Sequence, residues 1–258
     1  MSFRHALVTG ANRGLGLEFV RQLLAAGSHV VATCRHPGRA TALNTLAGEH
    51  PGRLHVLPLD VATPKSQDEL ARELPLVLGE DGRLDLLVNN AGGAKGLEPV
   101  TDADLDDWRW MYETNVLGTV AVTKALAPAL IASGAGTIIN VGSTAGRVTY
   151  EGGGGYTAAK HAQTAVAGTL RLELCGRPVR VIEIDPGMVK TEEFGLVRFG
   201  GDADRAEAVY AGVAEPLVAD DVADCVAWCA TRPHHVNIDR LVVRPLAQAA
   251  QHKVHRES

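Results

Sequence analysis

The sequence predicts a doubly wound α/β domain, a Rossmann-type parallel sheet of about seven strands with helices on both faces. Three observations carry this reading. Short apolar runs alternate along the chain with longer segments of helical periodicity. Nearly all the runs are apolar throughout rather than at every second residue, as strands covered on both faces should be. A glycine-rich stretch, "TGANRGLG" at 9–16, stands where the first strand would hand over to the first helix.

The elements follow in order. "HALVT" at 5–9 reads as the first strand and 14–26 as the helix after it. "HVVATC" at 29–34 and "LHVLPL" at 54–59 are the next strands, and 64–78 is a crossover helix. "LDLLVN" at 84–89 precedes a long patterned stretch at 104–131, and "GTIINV" at 136–141 precedes a helix at 156–174. "VRVIEI" at 179–184 and "RLVVRP" at 240–245 complete the set. Strand and helix in alternation imply parallel pairing through right-handed crossovers. One domain is expected over 1–246. Within it, 190–218 break the rhythm beyond the sixth strand, where ligands of such sheets collect, and are expected to form a mobile substrate lid. Residues 247–258 are expected to be a flexible tail.

Composition narrows the classes of function. The 258 residues are 46% hydrophobic and 21% charged, with a formal net charge of -5 and no dense Lys/Arg run. A nucleic-acid face is therefore not expected. The N-terminus has no apolar leader core, and no eighteen uncharged apolar residues run together, so neither a secretory signal nor a membrane span is expected. Of the four cysteines, Cys34, Cys175, Cys225 and Cys229, the last two have helical i,i+4 spacing. That spacing suits buried thiols on one helix face and matches neither redox nor zinc motifs. His234 and His235 are adjacent with no ligand spacing to other candidates, so no metal is expected. A reducing cytoplasm is the expected location.

In the glycine stretch, Gly10 permits a tight turn, Gly14 lets the backbone approach a pyrophosphate, and Gly16 lets the helix pack close to the sheet. The helix N-terminus then offers N–H groups and its positive dipole end to phosphates. The second strand ends in "TCRH", so Cys34 stands where an acidic residue usually holds an unphosphorylated ribose, and Arg35 follows. Arg13 approaches the same ribose. At about 1.5–3 kcal/mol for each charge-assisted hydrogen bond, two arginines favour a 2′-phosphate by about a few hundredfold. NADP(H) is the expected cofactor.

"YEGGGGYTAAK" at 150–160 holds two tyrosines. Tyr156 has Lys160 one helical turn beyond it, whereas Tyr150 has Gly154 there. Lowering a phenol's pKa by about three units takes roughly 4 kcal/mol. One ammonium about 5 Å away supplies around 3 kcal/mol at an effective dielectric of about 20, and an oxidised nicotinamide ring adds more. Tyr156 is the chemical one, and Tyr150 is expected on a pocket wall. The four glycines are expected to let the backbone turn sharply into the helix that carries Tyr156. Ser143, in "NVGSTAG" beyond the fifth strand, offers a hydroxyl to a substrate oxygen. Asn115, within a long helix, is unfavourable there without a purpose. "NNAG" at 89–92 and "DPGMVKT" at 185–191 close two more strands at the same edge.

With these residues the chain resembles the short-chain dehydrogenase/reductase family over about residues 4–246. The resemblance implies Tyr156 as general acid/base, Ser143 orienting and polarising the carbonyl or alcohol, and Lys160 lowering the phenol's pKa while holding the nicotinamide ribose. It implies Asn115 as support for a water in a proton relay. Asp60 would contact adenine, Asn90 the ribose region, and Val189 and Thr191 the carboxamide, while Asn89 braces the central strands. Asn12, Leu15 and Val61 would also line the cofactor, as would Ala91 and Gly92 of one motif and Pro186 and Gly187 of the other. The first half resembles C-factor-type carbonyl reductases. The second half, "VRFGGDADRAEAVYAG" and "PHHVNIDRLVVRP", resembles NADP-dependent 3-hydroxy acid dehydrogenases that oxidise serine and allo-threonine.

The expected activity is NADP(H)-dependent interconversion of a carbonyl and an alcohol on a small-molecule substrate. A small polar or anionic substrate, such as a 3-hydroxy acid or an acidic aldehyde, is expected because Arg147 and Arg198 stand where each could meet a carboxylate or sulfonate. A reductase of bulky neutral ketones or aldehydes is the alternative. From another class, the alternative is a non-catalytic NADP(H)-binding regulator. Apolar residues on more than one face of the helices at 104–131 and 156–174, among them Leu126, Leu130, Val166, Leu170 and Leu174, join the family's habit of pairing these helices. Together they point to a homodimer or homotetramer.

Overall fold

The structure is a computed structural model that describes residues 4–79, 82–191 and 194–257. The chain runs β1 (His5–Thr9), α1 (Gly14–Ala25), β2 (His29–Cys34), α2 (Thr41–Glu49), β3 (Leu54–Pro58) and α3 (Pro64–Leu78). It continues through β4 (Leu86–Asn89), α4 (Leu105–Tyr112), α5 (Gly118–Ala132), β5 (Gly136–Val141), α6 (Gly154–Glu173) and β6 (Val179–Pro186). After α7 (Phe194–Arg198), α8 (Ala203–Ala208) and α9 (Ala219–Ala230) come β7 (Arg240–Val243), β8 (Gln248–Ala250) and β9 (Lys253–Val254).

Seven strands pair in parallel in the order β3-β2-β1-β4-β5-β6-β7. The register explains why these strands are apolar at every position. Val31, Leu7, Leu87, Ile138 and Val181 align across five strands and face α3, α5 and α6. One residue along, Ala32, Val8, Val88, Ile139 and Ile182 align on the opposite face, beneath α1 and α9. Side chains alternate in direction along a strand, so a sheet covered on both sides needs apolar residues at both parities. Each large side chain buried this way contributes about 1.5–3 kcal/mol. Cys34 and Cys229 belong to the second layer, and all four cysteines are free thiols.

The expected helix at 104–131 is one continuous rod, but with a fault. Between α4 and α5 the turn Glu113–Leu117 is π-helical and carries Asn115 at its centre. The extra residue in that turn rotates α5 against α4, a device that recurs at functional sites. By length and composition the rod Leu105–Ala132 would suffice to cross a bilayer. Here its Val122, Leu126 and Leu130 are buried on the sheet. Leu126 and Leu130, expected at a subunit interface, therefore belong to the protomer's own core, and Leu170, Leu174 and Val166 are partly buried against it. The outward apolar residues on these helices are instead Leu105, Tyr112, Leu117, Val120 and Leu172.

The glycine run has a different main purpose from the one expected. Only Gly152 uses the left-handed region, at φ +71°. Gly154 and Gly155 already belong to α6, and a Cβ on either would lie 2.9–3.0 Å from Trp108 of α4. The bare backbone lets the two helices meet at the point where Tyr156 enters the cavity.

The expected lid includes Glu192 and Glu193, which lie outside the described residues. Its remainder holds α7 and α8 and is tied to the body by Gly96 N donating to the Arg198 carbonyl at 3.0 Å. The described part of the expected tail, residues 247–257, packs against the body. β8 and β9 form a hairpin, Thr144 Oγ1 donates to Gln251 Oε1 at 2.9 Å, and buried Gln248 accepts from the Met188 N–H at 2.8 Å. The Arg256 guanidinium donates to the carbonyls of Ala211 and Val209, and Glu257 N donates to Gly212 O at 2.7 Å. Polar residues that look like a frayed end find carbonyl partners on the lid. Truncation after Gln251 is expected to speed protease cleavage within 194–218 several-fold while lowering Tm by only a few degrees. Limited proteolysis and a thermal melt check this, and unchanged cleavage would show that the tail does not brace the lid.

Candidate active site

Strand order reverses at β1, with β2 and β3 on one side and β4 to β7 on the other. Connections leave in opposite directions there, and a crevice opens beyond the strands' C-terminal ends. A cavity of about 860 Å³ occupies it. It runs from Cys34 and Arg35 past the glycine turn to Ser143, Tyr156 and Lys160.

The glycine turn is built around close backbone approach. Gly10 and Gly14 have φ of +64° and +50°, and a Cβ on Gly10 would lie 2.9 Å from Ala91 Cα. A Cβ on Gly16 would collide with the Gly10 carbonyl. Asn90 Nδ2 donates to the carbonyls of Thr9 at 2.9 Å and Gly10 at 3.1 Å. Thr9 Oγ1 accepts from the N–H groups of Asn90 at 3.0 Å and Ala91 at 2.9 Å. The Asn90 amide nitrogen thus braces the turn. No side chain caps α1, so its first N–H groups face the cavity as donors for an anion. Asp60 Oδ1 accepts from Ala62 N at 3.0 Å and shapes the loop beyond β3, with Val61 beside it on the cavity wall. Buried Cys34 and the arginines Arg13 and Arg35 form the end of the cavity next to β2. Opposite Gly14 stands Thr191, at 3.8 Å from a Cβ built there. Asn12, Leu15, Gly92, Pro186, Gly187 and Val189 complete this half, and Val189 O accepts from Tyr210 Oη at 2.7 Å. These features fit a dinucleotide: a bare backbone turn, an uncapped helix N-terminus and cations at the far end.

At the other end, Tyr156, Lys160 and Ser143 converge. Ser143 Oγ accepts from Ala145 N at 3.1 Å, which caps the short turn after β5. Lys160 Nζ lies 5.8 Å from the Tyr156 ring centre and donates to Val141 O at 3.0 Å and Gln163 Oε1 at 2.8 Å. Burial pulls the ammonium's pKa down to about 8, against the pull upward of Asp185 and then Glu183. Burial also pushes the Tyr156 phenol up, while its hydrogen bond to Ser143 and the nearby Arg198 pull it down. In the protein alone, burial is the largest influence on the phenol. Desolvating the phenolate costs more than the protein's own charges return.

Asn115 and Arg147 do not line the cavity. Asn115 is fully buried. Its Oδ1 accepts from Gly93 N at 3.1 Å, and its Nδ2 donates to Gly93 O at 2.9 Å and Met111 O at 2.7 Å. It fastens the loop beyond β4 to the π turn. A buried chain joins it to the lysine: Gln163 Nε2 donates to Thr119 Oγ1 at 3.3 Å, and Thr119 Oγ1 donates to Asn115 O at 2.8 Å. Gln163 and Thr119 escaped the sequence analysis, although Gln163 three residues past Lys160 is a polar residue on the helix's inner side. Arg147, expected to meet substrate, is instead clamped by Asp185 at 2.7 Å and by Glu183. Two buried carboxylates hold a guanidinium more firmly than a transient ligand can.

Arg198 differs. It reaches from α7 into the cavity, donating to Tyr150 Oη at 3.1 Å and Gly96 O at 3.3 Å, with its Cζ 5.9 Å from the Tyr156 ring centre. Tyr150 forms the wall behind it. Both acceptors are neutral, and among the described residues Arg198 makes no ion pair. Phe194 packs edge-on to Tyr156 at 5.8 Å and covers it from the lid side.

Residues 4–198 match the short chain dehydrogenase family. An uncharacterized oxidoreductase of Mycobacterium tuberculosis is 54% identical over 248 residues, 96% of this chain and 93% of that one. The NADP-dependent 3-hydroxy acid dehydrogenase YdfG of Escherichia coli is 40% identical over 252 residues, 97% of this chain and 99% of its own. The closed form of serine dehydrogenase complexed with NADP+ superposes with a TM-score of 0.89 at 40% identity, over 98% of this chain and 100% of that one.

Lys160 links the site to stability. Its folded value of about 8 lies below the ordinary 10.5. Between them the unfolded chain holds a proton that the folded chain has lost, so stability rises with pH across that window. Relative to Lys160→Met, the wild type should gain up to about 3 kcal/mol from pH 8 to 10.5. Urea unfolding at each pH measures the difference, and a flat one would contradict the burial of a titrating lysine.

Proposed function

Because the chain belongs to the short chain dehydrogenase family, we propose that it is an NADP(H)-dependent oxidoreductase whose substrate is a small polar carbonyl or alcohol bearing an acid group. The observation that carries the substrate class is Arg198, a cation in the cavity beside Tyr156 whose acceptors among the described residues, Tyr150 Oη and Gly96 O, are neutral. A guanidinium so placed recognises a carboxylate or sulfonate through its remaining N–H groups. Support also comes from the relatives named for 3-hydroxy acids and serine. The glycine turn and the N-terminus of α1 would hold the pyrophosphate, and Arg13 and Arg35 would hold the 2′-phosphate, Cys34 standing where an acidic residue holds an unphosphorylated ribose.

Bound in this cavity, NADP(H) would supply hydride chemistry at its nicotinamide. Ser143 holds the substrate oxygen with its hydroxyl and keeps the carbonyl polarised. Tyr156 holds the proton at Oη and exchanges it with that oxygen. Lys160 orients beneath Tyr156 and carries the positive charge that favours the phenolate. Asn115 sets the position of the loop at Gly93 and so the width of the cavity mouth. Phe194, Val197 and Arg198 of α7 exclude water from the phenol once the lid lies against Gly96. In the chain, the exposed Leu117, Val120 and Leu172 suit a homodimer through α5 and α6.

A spectrophotometric screen of NADPH oxidation with 3-oxo acids, sulfoacetaldehyde and neutral aldehydes tests the reading. Arg198→Met should raise KM for the anionic carbonyls about 10–100-fold and leave neutral ones nearly unchanged. An equal effect on both classes would favour the reduction of bulky neutral ketones, and comparable kcat/KM with NADH would remove the assignment of NADP(H). NADPH bound but never consumed would point to a regulator. Sedimentation at micromolar concentration should give a dimer or tetramer, and a monomer would count against the pairing of helices.

A further inference from the structure

Behind the Tyr156–Lys160–Ser143 group lies a buried cluster of charge that the proposed reaction does not use. Glu183 and Asp185 project from β6, essentially without solvent exposure. Arg147 Nε donates to Asp185 Oδ2 at 2.7 Å, and its Nη2 donates to Glu183. Arg240 of β7 approaches both carboxylates, with Nε 3.3 Å from Glu183 Oε2 and 3.8 Å from Asp185 Oδ2. Thr164 Oγ1 of α6 donates to Glu183 Oε1 at 2.7 Å. One atom stands out. Asp185 Oδ1 is buried and has no hydrogen-bond donor among the described residues.

A carboxylate oxygen in that condition costs stability and calls for a reason. Its surroundings supply one. The oxygen points at Gly142, where a Cβ would collide with it, so this residue has to be glycine for the carboxylate to stay. Gly142 sits between Val141, whose carbonyl accepts from Lys160 Nζ, and Ser143. Its N–H donates to Ile184 O at 2.8 Å, locking the end of β5 to the strand that carries Asp185. The segment 141–143 thus meets the lysine's ammonium at the Val141 carbonyl and the carboxylate at Gly142. The two carboxylates and two arginines balance formally, but Arg240 is exposed and screened by solvent while both carboxylates are buried.

We infer that Asp185, backed by Glu183 and clamped by Arg147, is a positioning residue that serves as the buried counter-charge of Lys160 and holds the segment carrying Ser143 against it. The inference rests on the reading of Tyr156, Lys160 and Ser143 as the proton-exchanging group. Other charged and titratable groups belong to the same site: Tyr156 on the lysine's own helix, Tyr150 on the loop before α6 and Arg198 on the lid, both near Tyr156, and Arg147 and Arg240 in the cluster. Asp185 is the strongest anionic influence on the lysine and Glu183 the next. Asp185 itself is pushed up to about 6 by burial and by Glu183, so it is ionised in the range where Lys160 titrates.

The test observes the lysine directly, without cofactor or substrate. The chain has six lysines, so full-length protein labelled with 13C at lysine Cε gives few signals, and Lys160→Arg identifies the one of interest. In Asp185→Asn the Lys160 midpoint is expected to fall by about one pH unit, with the other five unmoved. Glu183→Gln should lower it by less in the same direction and serves if Asp185→Asn does not fold. A midpoint unmoved in a folded variant would overturn the inference and leave the cluster a structural one. With a carbonyl that is turned over by NADPH, the alkaline limb of the pH profile should move by the same amount. A shifted midpoint with no turnover of any carbonyl would keep the counter-charge and sink the reading of the site as catalytic.

Discussion

The architecture depends on one constraint: a parallel strand buried on both faces must be followed by a crossover that returns to the same end of the sheet. Every strand therefore finishes at one edge, and residues far apart in the chain are delivered to one place. β1 ends in the glycine turn, β4 leads into the loop fastened by Asn115, and β5 leads into Ser143. β6 ends in Pro186 and leads into Val189 and Thr191. The reversal of strand order at β1 then separates the loops enough to leave the cavity between them.

Within that cavity, burial sets the terms for charge. Lys160 and Tyr156 are both desolvated, and each is driven toward its neutral form. The protein answers with Ser143 and Arg198 beside the phenol and with Asp185 and Glu183 behind the lysine. The two arginines that look equivalent in the sequence have opposite fates for the same reason. Arg147 meets two buried carboxylates and becomes part of the scaffold. Arg198, among the described residues, meets neutral acceptors at the cavity wall.

Glycine is used here chiefly to remove obstacles. Gly16, Gly142 and Gly155 have no unusual backbone, yet a Cβ at each would strike a carbonyl, a carboxylate or a packed side chain. Their value lies in how closely they let two pieces of the molecule approach. That is why the run at 152–155 joins two helices at the site and does more than loosen the chain between them.

Much of this was legible before any coordinates. Strands at 5–9, 29–34 and 136–141 and the helix at 64–78 have the bounds read from their patterns, because runs apolar at every position have few other ways to be buried. The glycine turn, Ser143, Tyr156 and Lys160 could be recognised because their spacing along one turn or one strand end is local. Partnership across the sheet could not. Nothing near Arg147 in sequence announces Glu183 and Asp185, nothing near Lys160 announces Thr119, and the polar tail gives no sign of the carbonyls it meets at 209–212. Periodicity and spacing record which way a residue faces, whereas the partner of a buried charge, and hence whether it is free to act, depends on contacts that only folding brings together.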